Sequence, residues 1–195
     1  MKIIRHRANS IAELKATEPV YGVEIDLHSY QTEIVVHHDP MQPGVPFEYW
    51  LQHFKHDFLI ANIKQEGIEV RVLEILKKNS VHDFFLLDVS FPSLIRMTQN
   101  GIRQLAVRLS SFEPIQTSIT LAGQLDWIWV DLFDERLPLS AEEWQNLKKL
   151  GYKLCIVSPE LHGRSTESIR ELKAQLSKLH ITPDAVCTKQ PSLWE

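Results

Sequence analysis

The sequence contains no apolar run approaching the roughly 18 residues of a membrane span. Its opening, Met-Lys-Ile-Ile-Arg-His, is interrupted by charge too early for a secretory signal. A cytoplasmic protein without an integral membrane segment is therefore the expectation. There is no marked excess of charge of either sign: Lys and Arg total 21 and Asp and Glu 25, a formal net charge of -4, with the basic residues scattered. No global field steers the chain to nucleic acid or to an anionic membrane, so neither is expected as a partner. Cysteine is scarce. Cys155 and Cys187 are the only two; their spacing matches no zinc motif, and their apolar neighbours suit small buried thiols better than a disulfide. No G-x-G-x-x-G follows the first apolar run, which removes the usual support for a dinucleotide-binding sheet.

What is present is an ordinary globular composition, 44% hydrophobic and 24% charged over 195 residues. That length suits one buried core and a single domain spanning 1–195. Short apolar runs at 2–7, 22–27, 58–63, 84–89, 105–109, 127–132, 153–157 and 185–188 read as strands, with an extra hairpin strand at 34–37. Helical periodicity falls between them at 11–17, 47–55, 68–78, 93–99, 141–150 and 167–179, whereas 112–123 reads as an irregular connection or a short helix. Ser140 with Glu143 forms a capping-box pattern and Gly151 a stop signal; Ser165 and Thr166 offer a similar start for the last helix. Strands alternating with helices imply parallel pairing. Eight such units favour a compact (β/α)8 TIM barrel, with the extra hairpin strand after strand 2, over an open doubly wound sheet. Since such barrels typically use about 250 residues, helices and loops here must be brief.

Polar residues recur near the strand ends. In the second strand Glu24, Asp26 and His28 share one face while Val23, Ile25 and Leu27 share the other. A row of carboxylates on an otherwise buried strand is costly unless a cation or hydrogen-bond donors compensate. His6 and Arg7 end the first strand, His38 and Asp39 follow the hairpin, and Asn62, Lys64, Asp88, Arg108, Asp131, Ser158 and Lys189 lie near the C-terminal ends of later strands, where barrel enzymes build their sites.

His6-Arg7, Glu24-x-Asp26 and His38-Asp39-Pro40 together resemble the glycerophosphodiester phosphodiesterase family, one of a wider group of phosphodiester-cleaving barrels. Asn62-Ile-Lys64 falls where that family has Glu-x-Lys, residues 151–157 look like its penultimate strand, and Asp184-Ala-Val-Cys-Thr-Lys189-Gln-Pro191 is similar to its closing segment. The resemblance implies a (β/α)8 barrel that binds one divalent cation, Mg2+ or Ca2+, through Glu24, Asp26 and the residue at Asn62. It implies His6 and His38 as general acid and base, Arg7 and Lys64 on the phosphate, and a small-molecule phosphodiester as substrate, attacked by its own hydroxyl or by water. The chemistry is self-consistent. A hard cation and an Arg fork stabilise charge building on non-bridging oxygens, and two imidazoles near their ordinary pKa of about 6.5 move protons near neutrality.

The departures carry meaning. Asn62 replaces an acid by an amide, which offers a carbonyl oxygen without charge, so cation affinity falls. Asn9-Ser10 is a remnant of a longer Glu-Asn-Thr block, Val157-Ser-Pro-Glu160 replaces Trp-Thr-Val-Asn, and Lys189 replaces a late Asp. These departures motivate a second reading, a catalytically weakened barrel that still binds a phosphate-bearing small molecule. Metal-dependent amidohydrolases on the same barrel normally need His-x-His on strand one, which His6-Arg7-Ala8 does not supply. Asp88, Arg108, Asp131 and Lys189 read as a compensated charge network or as substrate contacts, with the network favoured. His28 reads equally as a substrate contact or a satisfied rim residue. Trp127 and Trp129 both face the lumen, with packing as the first reading and Trp129 as a possible substrate platform. His37, adjacent to His38, reads as a packed or surface histidine, and His53, His56, His82, His162 and His180 as surface residues.

Overall fold

Eight parallel strands alternate with helices in the computed structural model, which describes every residue except Glu135. In chain order the elements are β1 (Lys2–Arg5), α1 (Ile11–Ala16), β2 (Gly22–Tyr30), β3 (Glu33–Val36), β4 (Val45–Pro46), α2 (Phe47–Leu51), β5 (Leu59–Ile63), α3 (Glu69–Lys78), β6 (Phe84–Leu87), α4 (Phe91–Gln99), β7 (Ala106–Leu109), α5 (Ile115–Thr120), β8 (Trp127–Val130), α6 (Ala141–Lys149), β9 (Lys153–Val157), α7 (Glu167–Lys178) and β10 (Ala185–Thr188). The parallel ladder runs β6-β5-β2-β1-β10-β9-β8-β7. Between β7 and β6 the ladder is interrupted. A single parallel bridge, Leu86 to Leu105, spans that seam, and the Leu86 N–H donates to the Gln104 carbonyl at 2.9 Å. The sheet is therefore barrel-like, with one seam stitched at a point.

Alternation along each strand divides the core in two. Val23, Ile25 and Leu27 of β2, with Leu59, Ala61 and Ile63 of β5, face outward and pack under the helices in the larger apolar cluster. A smaller cluster fills the lumen: Ile4, Ile60, Phe85, Leu87, Trp127, Trp129, Cys155, Val157, Ala185 and Cys187, closed at the lower end by Phe58. Phe58, Phe85 and Trp127 form a ring cluster there, with centroids 4.9 to 5.8 Å apart. Both cysteines are free, and burial pushes their thiols well above the ordinary range. The lumen is narrow beside β2. A Cβ on Gly22 would lie 2.4 Å from Ile4 Cδ1 and 2.9 Å from Phe58 Cβ, so only glycine fits without displacement. Gly22→Ala is expected to destabilise the fold by about 1–3 kcal/mol through overpacking, measured by urea unfolding.

Local signals explain most element ends. Ser10 and Ser140 each accept from the backbone N–H three residues on while Glu13 and Glu143 reach back, completing two capping boxes. Gly151, at φ +91°, ends α6: its N–H reaches the Lys148 carbonyl and Tyr152 N–H reaches Leu147, the paired bonds of a Schellman motif. Two readings need adjustment, and a third resolves to the short helix it allowed. Strand β2 continues to Tyr30 instead of stopping at 27, because Leu27 to Tyr30 pair antiparallel with Val36 to Glu33 of β3. Thr166 precedes α7 with helical backbone angles and no side-chain cap, so the sequence signal there is not used. The unclear stretch 112–123 holds α5, a helix of six residues. Among the described residues no helix is long and apolar enough to cross a membrane.

Candidate active site at the barrel mouth

The C-terminal ends of the parallel strands surround a cavity of about 250 Å³. Its walls include His6 and Arg7 after β1, Glu24 on β2, Asn62 and Lys64 at the end of β5, Asp88 after β6, Arg108 on β7, Trp129 and Asp131 at β8, and Lys189 after β10. His162, in the short 3-10 turn at Pro159–His162 after β9, joins them. Asp26 is fully buried beside the cavity, with Arg7 Nε 3.5 Å from one carboxylate oxygen and Lys64 Nζ 3.3 Å from the other. Two residues named from sequence stand apart. His38 lies outside the cavity lining, about half exposed, with Nδ1 2.7 Å from Asp39 Oδ1. His28 is fully buried behind it, its Nδ1–H donating to the Ser29 carbonyl and its ring edge-on to His37. That places His28 in a packed position, where substrate does not reach.

Backbone geometry presents the acids. Arg7 has φ 54°, a left-handed conformation uncommon outside glycine, and this turns its own N–H onto Glu24 Oε2 at 2.8 Å while Ala8 N–H reaches the Glu24 carbonyl at 2.9 Å. Asn9 grips Asp26 reciprocally: Nδ2 donates to Asp26 Oδ2 at 2.9 Å, and the Asp26 N–H donates to Asn9 Oδ1 at 3.0 Å. The loop carrying these residues is tied to α2 by the Trp50 indole, which donates to the Ala8 carbonyl at 3.1 Å. Asp88, at φ 58°, also turns left-handed and faces the Arg108 guanidinium. Both non-glycine outliers on the cavity wall sit where a strand end delivers a charged group.

The electrostatics separate the mouth into halves. Burial first, then the charge of Asp26, pushes Glu24 up to about 7, against the lowering effect of hydrogen bonds from Asn62 and Arg7. Burial, reinforced by the positive charge of Arg7, lowers His6 to about 3, so this ring is neutral at pH 7. That corrects the expectation of two imidazoles near their ordinary pKa. Opposite, Arg108 bridges Asp88 and Asp131 and lies 3.4 Å from Glu113; Trp129 Nε1 donates to Asp131 at 3.0 Å, and His162 Nε2 is 3.1 Å from the same carboxylate. Of the network favoured from sequence, Asp88, Arg108 and Asp131 are joined, whereas Lys189 lines the cavity without an ion pair to them. His162 is not the surface residue expected. Its place in the turn that follows the penultimate strand was the available signal, since barrel sites draw on the loops after strand ends as well as on the ends themselves. Glu160 was also passed over; it ties β9 to β10 by accepting from Thr188 Oγ1 and the Lys189 N–H.

Which residues suit a cation is decided by two buried oxygens. Asp26 Oδ1 and Asn62 Oδ1 accept no hydrogen bond, although Lys64 Nζ stands 3.3 Å from the former, and both belong to the Glu24 neighbourhood: Asn62 Nδ2 donates to Glu24 Oε1 at 3.0 Å, and Asp26 lies two residues along β2. Oxygens of this kind are hard donors suited to Mg2+ or Ca2+, and at Asp26 a cation would have to displace the Lys64 ammonium. Among the described residues no three His, Cys, Asp or Glu side chains gather into a cation site, which leaves the pair of acids with an amide as the third donor. In cation-free protein the sign of the Glu24 effect is definite. Its folded pKa lies above the ordinary 4.5, so the native state holds a proton the unfolded chain has lost, and stability falls as pH rises from 4.5 through about 7. The melting temperature of Glu24→Gln minus that of wild type, measured in chelator, is therefore expected to grow across that window.

No protein-family model and no curated protein matches the sequence. Solved structures do match by shape. The glycerophosphodiester phosphodiesterase of Agrobacterium tumefaciens aligns at a TM-score of 0.69 and 13% identity over 100% of this chain and 97% of its own. A glycerophosphoryl diester phosphodiesterase of Parabacteroides distasonis aligns at 0.70 and 15% over 98% of this chain and 84% of its own, and the Thermotoga maritima glycerophosphodiester phosphodiesterase at 0.69 and 17% over 98% and 96%. The class is thereby set: this chain has the α/β barrel-like fold of those enzymes along essentially its whole length.

Proposed function

We propose that the protein is a divergent relative of the glycerophosphodiester phosphodiesterases and cleaves a small phosphodiester at the barrel mouth. One observation carries the reading: a single cavity brings together His6, Arg7, Glu24, Asn62 and Lys64 from three strand ends, on a fold shared with three such enzymes. The diester anion sits between Arg7 and Lys64, whose positive groups already flank Asp26. Neutral His6 takes the proton of the attacking hydroxyl, from the substrate itself or from water. Asp39 is held below the usual carboxylate range by its hydrogen bond with His38, and as an anion it orients that ring outside the cavity lining, where it hands a proton only to a leaving oxygen that extends past the mouth to it. A divalent cation held by Glu24, Asp26 and Asn62 would supply positive charge for the oxygens on which negative charge builds. Hydrolysis or intramolecular transfer to a cyclic phosphate both follow from this set. The test is turnover of a generic aryl phosphodiester and a panel of glycerophosphodiesters with Mg2+, with Ca2+ and with chelator; no turnover of any diester under any of these conditions sinks the reading.

A second reading has its own support. Asp26 already has Arg7, Lys64 and Asn9 around it, so part of its charge is compensated by the protein, and a barrel that binds a phosphate-bearing molecule without fast turnover fits that compensation. Calorimetry with sugar phosphates alongside the turnover assay separates the two. Under the catalytic reading His162 acts from the far side. In the circular strand order β2 and β8 are four positions apart, so the Asp131–His162 pair faces the acids across the cavity and contacts a substituent of the substrate. His162→Ala is expected to raise KM more than it lowers kcat, read from steady-state kinetics.

A further inference from the structure

The mouth has an apolar annex. Of eight phenylalanines, the three that are exposed all follow the C-terminal ends of consecutive strands: Phe91 after β6 (54% exposed), Phe112 after β7 (76%) and Phe133 after β8 (45%). Chance exposure does not explain three large apolar rings on one rim, since contiguous exposed apolar surface is a recognition feature more often than an accident. Phe91 and Phe112 line a cavity of about 370 Å³ floored by Leu94 and Val107, a size in the range of small-molecule sites. This cavity shares Asp88 and Arg108 with the catalytic mouth, so the two adjoin across that pair. Phe133 carries the apolar strip back to the mouth, 6.1 Å from the Phe112 ring and 5.1 Å from the His162 ring.

Charge decides which part of a diester lies where. Arg108 on the shared wall is matched by Asp88, Asp131 and Glu113, leaving it little attraction for a further anion. Arg7 and Lys64 bring positive charge to the side across the barrel from Phe133, sharing the single charge of Asp26, with Lys64 also 3.8 Å from Asp88. A phosphate held there sends one ester substituent over the neutralised wall into the annex, where a glycerol or sugar gains nothing from phenylalanine but a hydrocarbon chain is desolvated. We propose that the annex is the subsite for a single hydrocarbon chain, and that the natural substrate is a one-chain amphiphilic phosphodiester. This rests on the phosphodiester reading of the mouth.

The test uses the intact chain and methyl n-alkyl phosphate diesters of one, four and eight carbons, each below its micelle-forming concentration, titrated calorimetrically with Mg2+ present. The dissociation constant is expected to fall about two- to fourfold per methylene until the annex is full, and Phe112→Ser and Phe91→Ser are expected to flatten that series. An octyl diester that binds no better than the methyl one, or not at all, overturns the proposal. So does a flat series accompanied by sedimentation with phosphatidylcholine vesicles that Phe112→Ser abolishes, which assigns the strip to a bilayer surface. Turnover of methyl p-nitrophenyl phosphate is scored separately. A steep binding series without turnover keeps the annex and removes the catalytic reading, whereas turnover with a flat series does the reverse.

Discussion

His6→Ala lowers kcat/KM for a generic aryl phosphodiester by about 10²–10⁴-fold at pH 7.5, the range expected when a positioned proton acceptor is removed. The magnitude follows from where His6 sits. It extends beyond β1 into the cavity, its backbone N–H fixed on the Thr188 carbonyl at 2.8 Å, with Nε2 3.8 Å from Glu24. Burial and the Arg7 charge lower the ring to about 3, so it enters the reaction neutral and able to accept a proton, though as a weaker base than a free imidazole. Loss of the ring removes the acceptor without disturbing the acids, since Glu24 keeps its bonds from the Arg7 N–H and Asn62 and Asp26 keeps Asn9. A structural role alone predicts a different outcome: a lower melting temperature, with activity per folded molecule unchanged. Circular dichroism and steady-state kinetics on the same preparation distinguish them.

Asn62→Glu is the second large effect, and its direction is a gain. Replacing the amide by a carboxylate adds a third charge to the Glu24–Asp26 pair and removes an N–H donor that now points at Glu24. Hard divalent cations respond mainly to the number and charge of oxygen ligands, so affinity for Mg2+ or Ca2+ is expected to rise by about tenfold or more. The same substitution is expected to lower the melting temperature of the protein in chelator, because three buried carboxylates repel where two did. Cation-induced stabilisation, measured by thermal shift against cation concentration, therefore steepens in the variant, and an unchanged titration removes Asn62 from the cation site.

Much of the architecture was legible because local chemistry and tertiary packing agree. The eight apolar runs, the Ser140 capping box and the Gly151 stop each specify one conformation. What escaped has physical causes. The extension of β2 to Tyr30 comes from the hairpin with β3, whose strand was expected but whose antiparallel register over Leu27 to Tyr30 the apolar run of β2 does not encode. The start of α7 carries capping residues whose side chains go unused, so a correct boundary came with an incorrect reason. At the site, alternation placed Glu24 and Asp26 together, and strand-end position gathered Asn62, Lys64, Asp88, Arg108, Asp131 and Lys189. His28 shares the Glu24 face yet is buried above the barrel proper, where β3 covers it. His162 lies in a turn rather than a strand, and only the curvature of the barrel returns it to the mouth. The lowered His6 pKa was invisible for a similar reason: desolvation is a property of the assembled cavity and not of the residue.

Phosphorus NMR of the wild-type protein and His6→Ala, incubated in parallel with glycerophosphodiesters and short alkyl phosphodiesters in the presence of Mg2+ or Ca2+, tests the central claim most directly. The account predicts that the diester resonance decays in the wild-type sample, with a monoester or cyclic phosphate resonance growing in its place, and that the His6→Ala sample stays unchanged on the same timescale. Diester resonances that persist in both samples, or decay at equal rates in both, contradict it.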